Sequence, residues 1–137
     1  MNLFSTNSKL KKEKPVIYKF SLPMGLTCPA AAECRSWCYM RSVYRLRGAV
    51  CINAHKRNYE LSKKACFPAV AIHELKSRPY ITRLRLHDSG DFYSQGYINR
   101  WYKIAEAVPE VFIYFYTKSL HLNFKRLQVL KNVKLLQ

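Results

Sequence analysis

The chain has 137 residues, of which 49% are hydrophobic and 14% aromatic, so it can bury the core of one domain but is too short for a closed eight-unit barrel. Its 24 lysines and arginines stand against 8 acids, and the net charge of +16 predicts a polyanionic partner, nucleic acid before an anionic membrane surface. No apolar run approaches the roughly 18 residues of a membrane span, and no apolar segment of a secretory signal follows the N-terminal lysines. We therefore expect no membrane insertion and a cytoplasmic, reducing environment, in which clustered cysteines hold metal instead of forming disulfides.

The first part of the chain divides into an arm and a strand. Residues 1–14 are polar and rich in lysine, which predicts a flexible basic arm ahead of a single α/β domain over residues 15–137. Residues 16–22 carry an apolar side chain at every second position, which is typical of a strand, and Pro23 and Gly25 end it.

A cluster of three cysteines follows this strand at once. Residues 27–40 read TCPAAAECRSWCYM and place Cys28, Cys34 and Cys38 in a C-x5-C-x3-C spacing. Thiolates from one short loop converge on a soft metal such as iron or zinc, to which they give charge better than carboxylates do. The sequence therefore predicts a metal centre at the carboxyl end of the first strand, where α/β folds build their sites. The alternative is that the three cysteines pack as small apolar residues.

A basic helical region lies beyond the cysteines. From residue 36 the pattern is helical, and Gly48 predicts a break into two helices. Arg41 and Arg45 are one helical turn apart with Tyr44 between them. This set suits phosphate contacts and base stacking on a nucleic acid, or else forms an ordinary solvated helix face.

The most regular pattern is a strand–helix–strand unit. Residues 80–87 alternate as a strand, Ser94 caps a helix that Pro109 stops, and residues 111–117 form a strand that is apolar on both faces, as a buried parallel strand is. Such units are right-handed. The pattern predicts an incomplete (β/α) barrel of three to four parallel strands with helices outside. Either the barrel is truncated, or a partner such as a second copy of the chain completes it as a homo-oligomer. The other predicted elements are a helix before this unit and a helix and a strand after it, over residues 68–76, from Asn123 and over residues 133–136.

Both aspartates of the chain, Asp88 and Asp91, lie in HDSGD at the end of the second predicted strand. Ser89 and Gly90 let the backbone approach a ligand closely, and a carboxylate beside them accepts hydrogen bonds from an amine or a hydroxyl. All five residues of this turn, including His87, are therefore candidates for cofactor binding. The alternative is an ordinary turn with a structurally satisfied histidine.

Lys118 is the corresponding candidate on the next predicted strand. It shares a face with Tyr114 and Tyr116, and the neighbouring strand presents basic side chains beside them, namely Arg83, Arg85 and His87. If these faces line the interior of a barrel, they form a basic pocket suited to an anionic substrate. Otherwise the tyrosines pack and the lysine reaches water.

These motifs together resemble a known family. The run RLRLHDSGDFYSQGYINRWYKIAEAVPEVFIYFYTKS, with a cysteine loop that closes in Cys38 and Tyr39, resembles the Gene product 88 family of bacteriophage proteins. That family is similar in turn to radical SAM enzymes. The resemblance extends over residues 16–120, which is most of the chain.

The resemblance implies an iron–sulfur protein of radical SAM type. Cys28, Cys34 and Cys38 would hold three irons of a [4Fe–4S] cluster, and the fourth iron would be open to S-adenosylmethionine, with Gly90 and Asp91 against its amino group. The implied chemistry is one-electron reduction, carbon–sulfur cleavage and hydrogen abstraction from a substrate, for which the protein orients the cofactor. The sequence does not identify that substrate.

Two alternatives stay open. Cys51 as a fourth thiolate would close the cluster, leave no iron for S-adenosylmethionine and give a structural or electron-transfer centre. A protein of a different class, a non-catalytic nucleic-acid-binding module, would instead hold zinc through the three clustered cysteines and either Cys51 or His55. The sequence therefore does not decide whether the protein is an enzyme.

Overall fold

In a computed structural model, the structure describes residues 2–24 and 40–136, with side chains over residues 2–24 and 49–136. Within these ranges the chain forms five helices and four strands, which in chain order are α1 (Ser8–Lys11), β1 (Ile17–Phe20), α2 (Met40–Ser62), α3 (Phe67–Ser77), β2 (Arg83–Leu86), α4 (Gln95–Ala107), β3 (Phe112–Phe115), α5 (Lys125–Gln128) and β4 (Val133–Leu135). None of the described helices is both long and apolar enough to cross a membrane.

The four strands form one open, parallel sheet in the order β1-β2-β3-β4. This confirms the prediction of an α/β fold with three to four parallel strands. Each crossover joins neighbouring strands, and because such crossovers are right-handed, their helices are expected on the same side of the sheet. A sheet wound in this way has one face for the core and one face that the crossover helices do not cover.

The core lies on the helix side of the sheet. The strand register aligns Phe20, Leu86 and Phe115 in one row on this side. The Phe20 ring lies 5.5 Å from that of Phe67 in α3 and 5.4 Å from that of Trp101 in α4, measured between centroids. All five side chains are almost fully buried, so aromatic packing between the sheet and two helices forms the centre of the domain.

The opposite side of the same strands has a different chemistry, and we call it the open face. It comprises two neighbouring rows of side chains and the residue that follows β3, namely Lys19, Arg85, Tyr114 and Lys134, then Arg83 and Phe112, then Tyr116. Phe112 is 41% exposed and Tyr116 is 52% exposed. The prediction that the third strand is buried on both faces is therefore wrong, because none of the helices in the described part of the chain packs over these rings.

The structure confirms the predicted start of helix α4 but not the predicted break in helix α2. Helix α4 begins as predicted, since the Ser94 hydroxyl accepts a hydrogen bond of 3.1 Å from the backbone N–H of Tyr97. Helix α2, however, runs through Gly48 without the predicted break. A glycine costs only about 1 kcal/mol in a helix interior. Contacts made by the second half of α2, such as the 2.9 Å hydrogen bond from Asn58 to the carbonyl of Ser21, offset that cost.

The N-terminal residues pack onto the domain instead of extending as the flexible arm predicted for residues 1–14. Leu3 and Phe4 are buried, and their backbone N–H groups donate to the carboxylate of Glu74 at 2.9 and 3.0 Å. Ser5 then forms an antiparallel bridge with Lys19 of β1. Two apolar side chains ahead of the lysines are enough to anchor this segment, because a buried carboxylate satisfies the backbone beside them.

Candidate functional site at the carboxyl edge of the sheet

The segments that follow β1, β2 and β3 meet at the carboxyl edge of the sheet. The backbone N–H of Leu22 donates to the carbonyl of Ser89 at 2.9 Å, which joins the segment after β1 to the turn after β2. The backbone N–H of Lys118 donates to the Asp91 carboxylate at 2.9 Å, which joins that turn to the segment after β3. Residues 25–39, which contain the cysteine cluster, follow directly after the first of these segments.

The side chains of several predicted functional residues lie outside the described part of the structure. The three predicted metal ligands Cys28, Cys34 and Cys38 lie outside the described residues. The three predicted nucleic-acid contacts Arg41, Tyr44 and Arg45 lie in α2 where the structure describes the backbone without the side chains. The assignments of these residues stay predictions.

The Asp91 carboxylate joins the turn after β2 to the segment after β3. One of its oxygens accepts hydrogen bonds of 2.7 Å from the backbone N–H of Phe92 and from the hydroxyl of Thr117, and the other accepts the bond from Lys118. A carboxylate has about four acceptor positions, so three are occupied within the protein. Among the described residues, the fourth position has no donor.

Asp88 instead contacts Lys19 and Arg85, two basic residues of the open face. Its carboxylate forms an ion pair of 2.9 Å with the ammonium group of Lys19 and lies 3.7 Å from the guanidinium of Arg85. The side chains of Lys19 and Asp88 are only 14% and 11% exposed, so water screens this pair weakly. Sequence reasoning missed Lys19. Its one signal was a lysine at an inner position of an otherwise apolar strand.

The two residues between the aspartates have the properties that the sequence predicts for a close backbone approach. Gly90 has a φ of 82°, a left-handed conformation that favours glycine. Ser89 is buried, and its carbonyl accepts the hydrogen bond from Leu22. Lys118 has an exposed side chain at the rim of the same edge.

His87 lies behind this turn, on the core side of the sheet, and does not share the face of Arg85. Its ring contacts Phe92 and Tyr97, and its Nε2 shares a 2.6 Å hydrogen bond with the Tyr97 hydroxyl. Burial lowers the pKa of His87 to about 3, so the imidazole is neutral at neutral pH. Burial also raises the pKa of Tyr97 well above its ordinary value, so the phenol stays protonated.

Buried polar atoms without a hydrogen-bond partner among the described residues gather at this edge. Four of the five that the described residues contain are Ser21 Oγ, Arg85 Nε, His87 Nδ1 and Ser89 Oγ. Most buried polar atoms in native proteins are paired, and those that are not call for a specific explanation such as a ligand. The partners of these four atoms therefore lie outside the described residues or in a bound molecule.

Helix α2 adds a cysteine–histidine pair beside the end of β1. The Sγ of Cys51 lies 3.7 Å from Nε2 of His55, one helical turn further on. Both line a cavity of about 280 Å³ together with Lys19, Ser21 and the N-terminal segment. Burial, and after it the charge of Lys19, lowers the pKa of His55 to about 4, so its ring is neutral at neutral pH. Three or more metal-binding side chains do not converge anywhere within the described residues.

The fold and this site define an α/β protein with an open parallel sheet, helices α3 and α4 packed on its core side, and its candidate site at the carboxyl edge. A family model described as Gene product 88 matches residues 1–136, so the chain belongs to the Gene product 88 family. The resemblance read from the sequence is confirmed at this level, whereas similarity to radical SAM enzymes stays a prediction. No curated protein and no solved structure matches the chain.

Proposed function

We propose that the protein holds an iron–sulfur cluster through Cys28, Cys34 and Cys38 at the carboxyl edge of an incomplete barrel of radical SAM type, and that it acts on or near nucleic acid. The observation that carries this proposal is the group of buried polar atoms without a partner among the described residues, since most of them lie at or just after the carboxyl ends of β1 and β2, and the cysteine segment follows β1 in the chain. Such a concentration is expected where a bound group supplies the missing hydrogen bonds.

The strand order supports the barrel part of the proposal. Sequential parallel strands with helices on one side are the repeating unit of a (β/α) barrel, in which the other side faces the interior. The open face would then be the inner wall, a second copy of the chain would complete the enclosure, and a nucleic acid bound to this face would lie inside it. Sedimentation velocity would test this, because a chain that is monomeric at all accessible concentrations contradicts a completed barrel.

The donor set at the edge fits the two proposed cofactors to different degrees. A thiol at Cys51, lining the cavity beside a neutral His55, fits a metal centre that takes soft or imidazole ligands. As a fourth ligand of the cluster, however, Cys51 would leave no iron open to S-adenosylmethionine. The unpaired Nε–H of Arg85 and the free hydroxyl of Ser89 fit a ligand with a carboxylate and an amine, as S-adenosylmethionine has. Asp91 contributes only its one remaining acceptor position to such an amine.

When bound, the cluster would supply one-electron reduction, and the chain's own residues would position and shield it. The paired charges of Lys19 and Asp88 keep one wall of the cavity polar. The two hydrogen bonds that Asp91 accepts from Thr117 and Lys118 hold the turn after β2 at a fixed distance from the segment after β3. Together they give the edge a rigid frame, which orientation of a cofactor requires.

The experiment is purification without oxygen, followed by measurement of iron and acid-labile sulfide per chain. Wild type is expected to be brown with about four irons, as a [4Fe–4S] cluster requires. Cys34→Ser is expected to lose most of the iron, and Cys66→Ser, which alters an exposed thiol, serves as the matched control and is expected to keep it. Full iron content in Cys34→Ser would refute the ligand assignment. An electron-resonance spectrum that S-adenosylmethionine leaves unchanged would refute the second cofactor.

The contact between Cys51 and His55 favours a second candidate, a zinc-bound, non-catalytic nucleic-acid-binding protein. A cysteine and a neutral histidine on one helical turn are common zinc ligands, and the clustered cysteines would complete a tetrahedral site. Colourless protein that contains one zinc, which both Cys51→Ser and His55→Gln lose, would establish this candidate in place of the cluster.

The nucleic-acid part of the proposal rests on the net charge of +16. Because bound cations release counterions from a polyanion, affinity should fall steeply as salt rises between about 50 and 200 mM. Fluorescence anisotropy with a labelled oligonucleotide measures this slope. Affinity that does not change with salt would contradict the proposal.

A further inference from the structure

The open face is unusual for a parallel sheet. All-parallel sheets occur mostly with both faces covered, because crossover helices normally pack on each side. Here α3 and α4 pack on the core side, while Phe112 and Tyr116 on the open face are 41% and 52% exposed. Among the described residues, the open face is shielded at its β1 side, where α1 contacts β1 and where Leu10 and Ile17 are buried outside the main core.

Cationic and aromatic side chains lie next to one another on this face. The register places Arg85 beside Tyr114 and Tyr114 beside Lys134, and it places Arg83 beside Phe112 in the next row. The guanidinium of Arg85 lies 5.9 Å from the centroid of the Tyr116 ring, within the range of a cation–π contact. The rings of Phe112 and Tyr114 are 6.1 Å apart and only 25° from parallel, so neighbouring rings present similarly oriented surfaces.

The charges on the face favour an anionic partner. Arg83 and Lys134 are exposed, whereas Lys19 is engaged by Asp88. Within the part of the chain that the structure describes, Asp88 is bonded to Lys19, and the charge of Glu13 acts on Tyr114. Proteins bind single-stranded nucleic acid with exposed cations beside exposed aromatic rings: the bases stack on the rings and the phosphates contact the cations.

We propose that the open face binds single-stranded nucleic acid, with bases stacked on Phe112 and Tyr116 and phosphates at Arg83 and Lys134. A duplex cannot supply this contact, because its bases are already stacked on one another and show only their edges. This inference rests on the proposed nucleic-acid partner, which it deepens, but not on the metal centre. It also moves the contact from the predicted helix surface of Arg41 and Arg45 to the sheet.

The test compares oligonucleotide binding by matched variants of the whole chain, prepared without oxygen. Fluorescence anisotropy with a fluorescein-labelled 15-nucleotide oligothymidylate and with a duplex of equal length would be measured for wild type first. Tyr116→Ser is expected to weaken single-strand binding about 5- to 100-fold, the loss of one stacking contact. Tyr80→Ser is the control, since Tyr80 is also exposed but lies outside the open face. Its ring is 5.9 Å from that of Tyr18, a residue of β1 on the opposite side of the sheet from Lys19.

A second pair isolates charge from stacking. Arg83→Gln and Lys103→Gln each remove one exposed cation, the first from the open face and the second from α4 on the helix side. Arg83→Gln is expected to reduce the slope of log affinity against log salt by about one, and Lys103→Gln is expected to leave the slope unchanged. Equal effects within either pair, or equal affinity for duplex and single strand, would overturn the inference. Wild-type protein that binds neither probe would instead refute the nucleic-acid part of the proposed function.

Discussion

The two faces of the sheet are formed by alternate residues of the same four strands, yet they have opposite chemistry. On the core side, Phe20, Leu86 and Phe115 are buried under aromatic side chains from α3 and α4. On the open face, Arg85 and Tyr114 occupy the same strands and remain partly exposed. The difference indicates a division of roles, in which one face supplies stability and the other is free to bind. Each of the following predictions tests this division.

The largest expected effect comes from truncating the centre of the core. Phe20→Ala removes ring contacts with Phe4, Phe67 and Trp101, and it should lower the free energy of unfolding by about 3–5 kcal/mol. The matched change on the open face, Tyr116→Ala, should alter it by about 0.5 kcal/mol or less. Urea unfolding followed by circular dichroism measures both. Similar losses for the two variants would contradict the division between the faces.

An intermediate effect on the free energy of unfolding is expected at the carboxyl edge of the sheet. Asp91→Asn should lower the free energy of unfolding by about 1–3 kcal/mol, because an amide group cannot accept the bonds from both Thr117 and the backbone N–H of Lys118. Asp88→Asn should have a smaller effect, since Asp88 holds side chains of the open face and not two backbone segments. The same unfolding experiment ranks the two, and a larger loss for Asp88→Asn would reverse the assigned roles.

The smallest expected effect at neutral pH comes from His87, whose contribution changes only in acid. The pKa of His87 is about 3 in the fold and about 6.5 in an unfolded chain, so between these values the unfolded state holds a proton that the folded state lacks. The contribution of His87 is therefore fully present above about pH 6.5 and is lost as the pH falls toward about 3.

His87→Gln should flatten the pH dependence of the unfolding free energy within this window, since glutamine does not titrate and its carbonyl can accept the bond from Tyr97. His73→Gln, which changes an exposed histidine of α3, is the control and should leave the curve unaltered. An unchanged pH dependence in His87→Gln would show that His87 is not responsible for acid sensitivity.

Much of the architecture was predictable because it depends on local periodicity. The two-residue alternation over residues 80–87 and the cap at Ser94 gave the strand–helix–strand unit, and the structure has that unit with shorter strands. The break at Gly48 and the free arm were predicted from composition, and both were wrong because contacts with distant residues outweigh a local preference. Glu74, which holds the backbone of Leu3 and Phe4, is about 70 residues away from them in the chain.

The sequence by itself determined the class of fold, the family and the meeting of HDSGD with the residues before the cysteine cluster, because parallel strands bring their carboxyl ends to one edge. Only the tertiary structure decided what the side chains there do: it paired Asp88 with Lys19 across 69 residues, gave Asp91 three internal donors and turned His87 toward the core. It also decided which face of the sheet stays open. These outcomes depend on packing between distant segments, and local patterns of hydrophobicity and charge carry no information about which distant groups will meet.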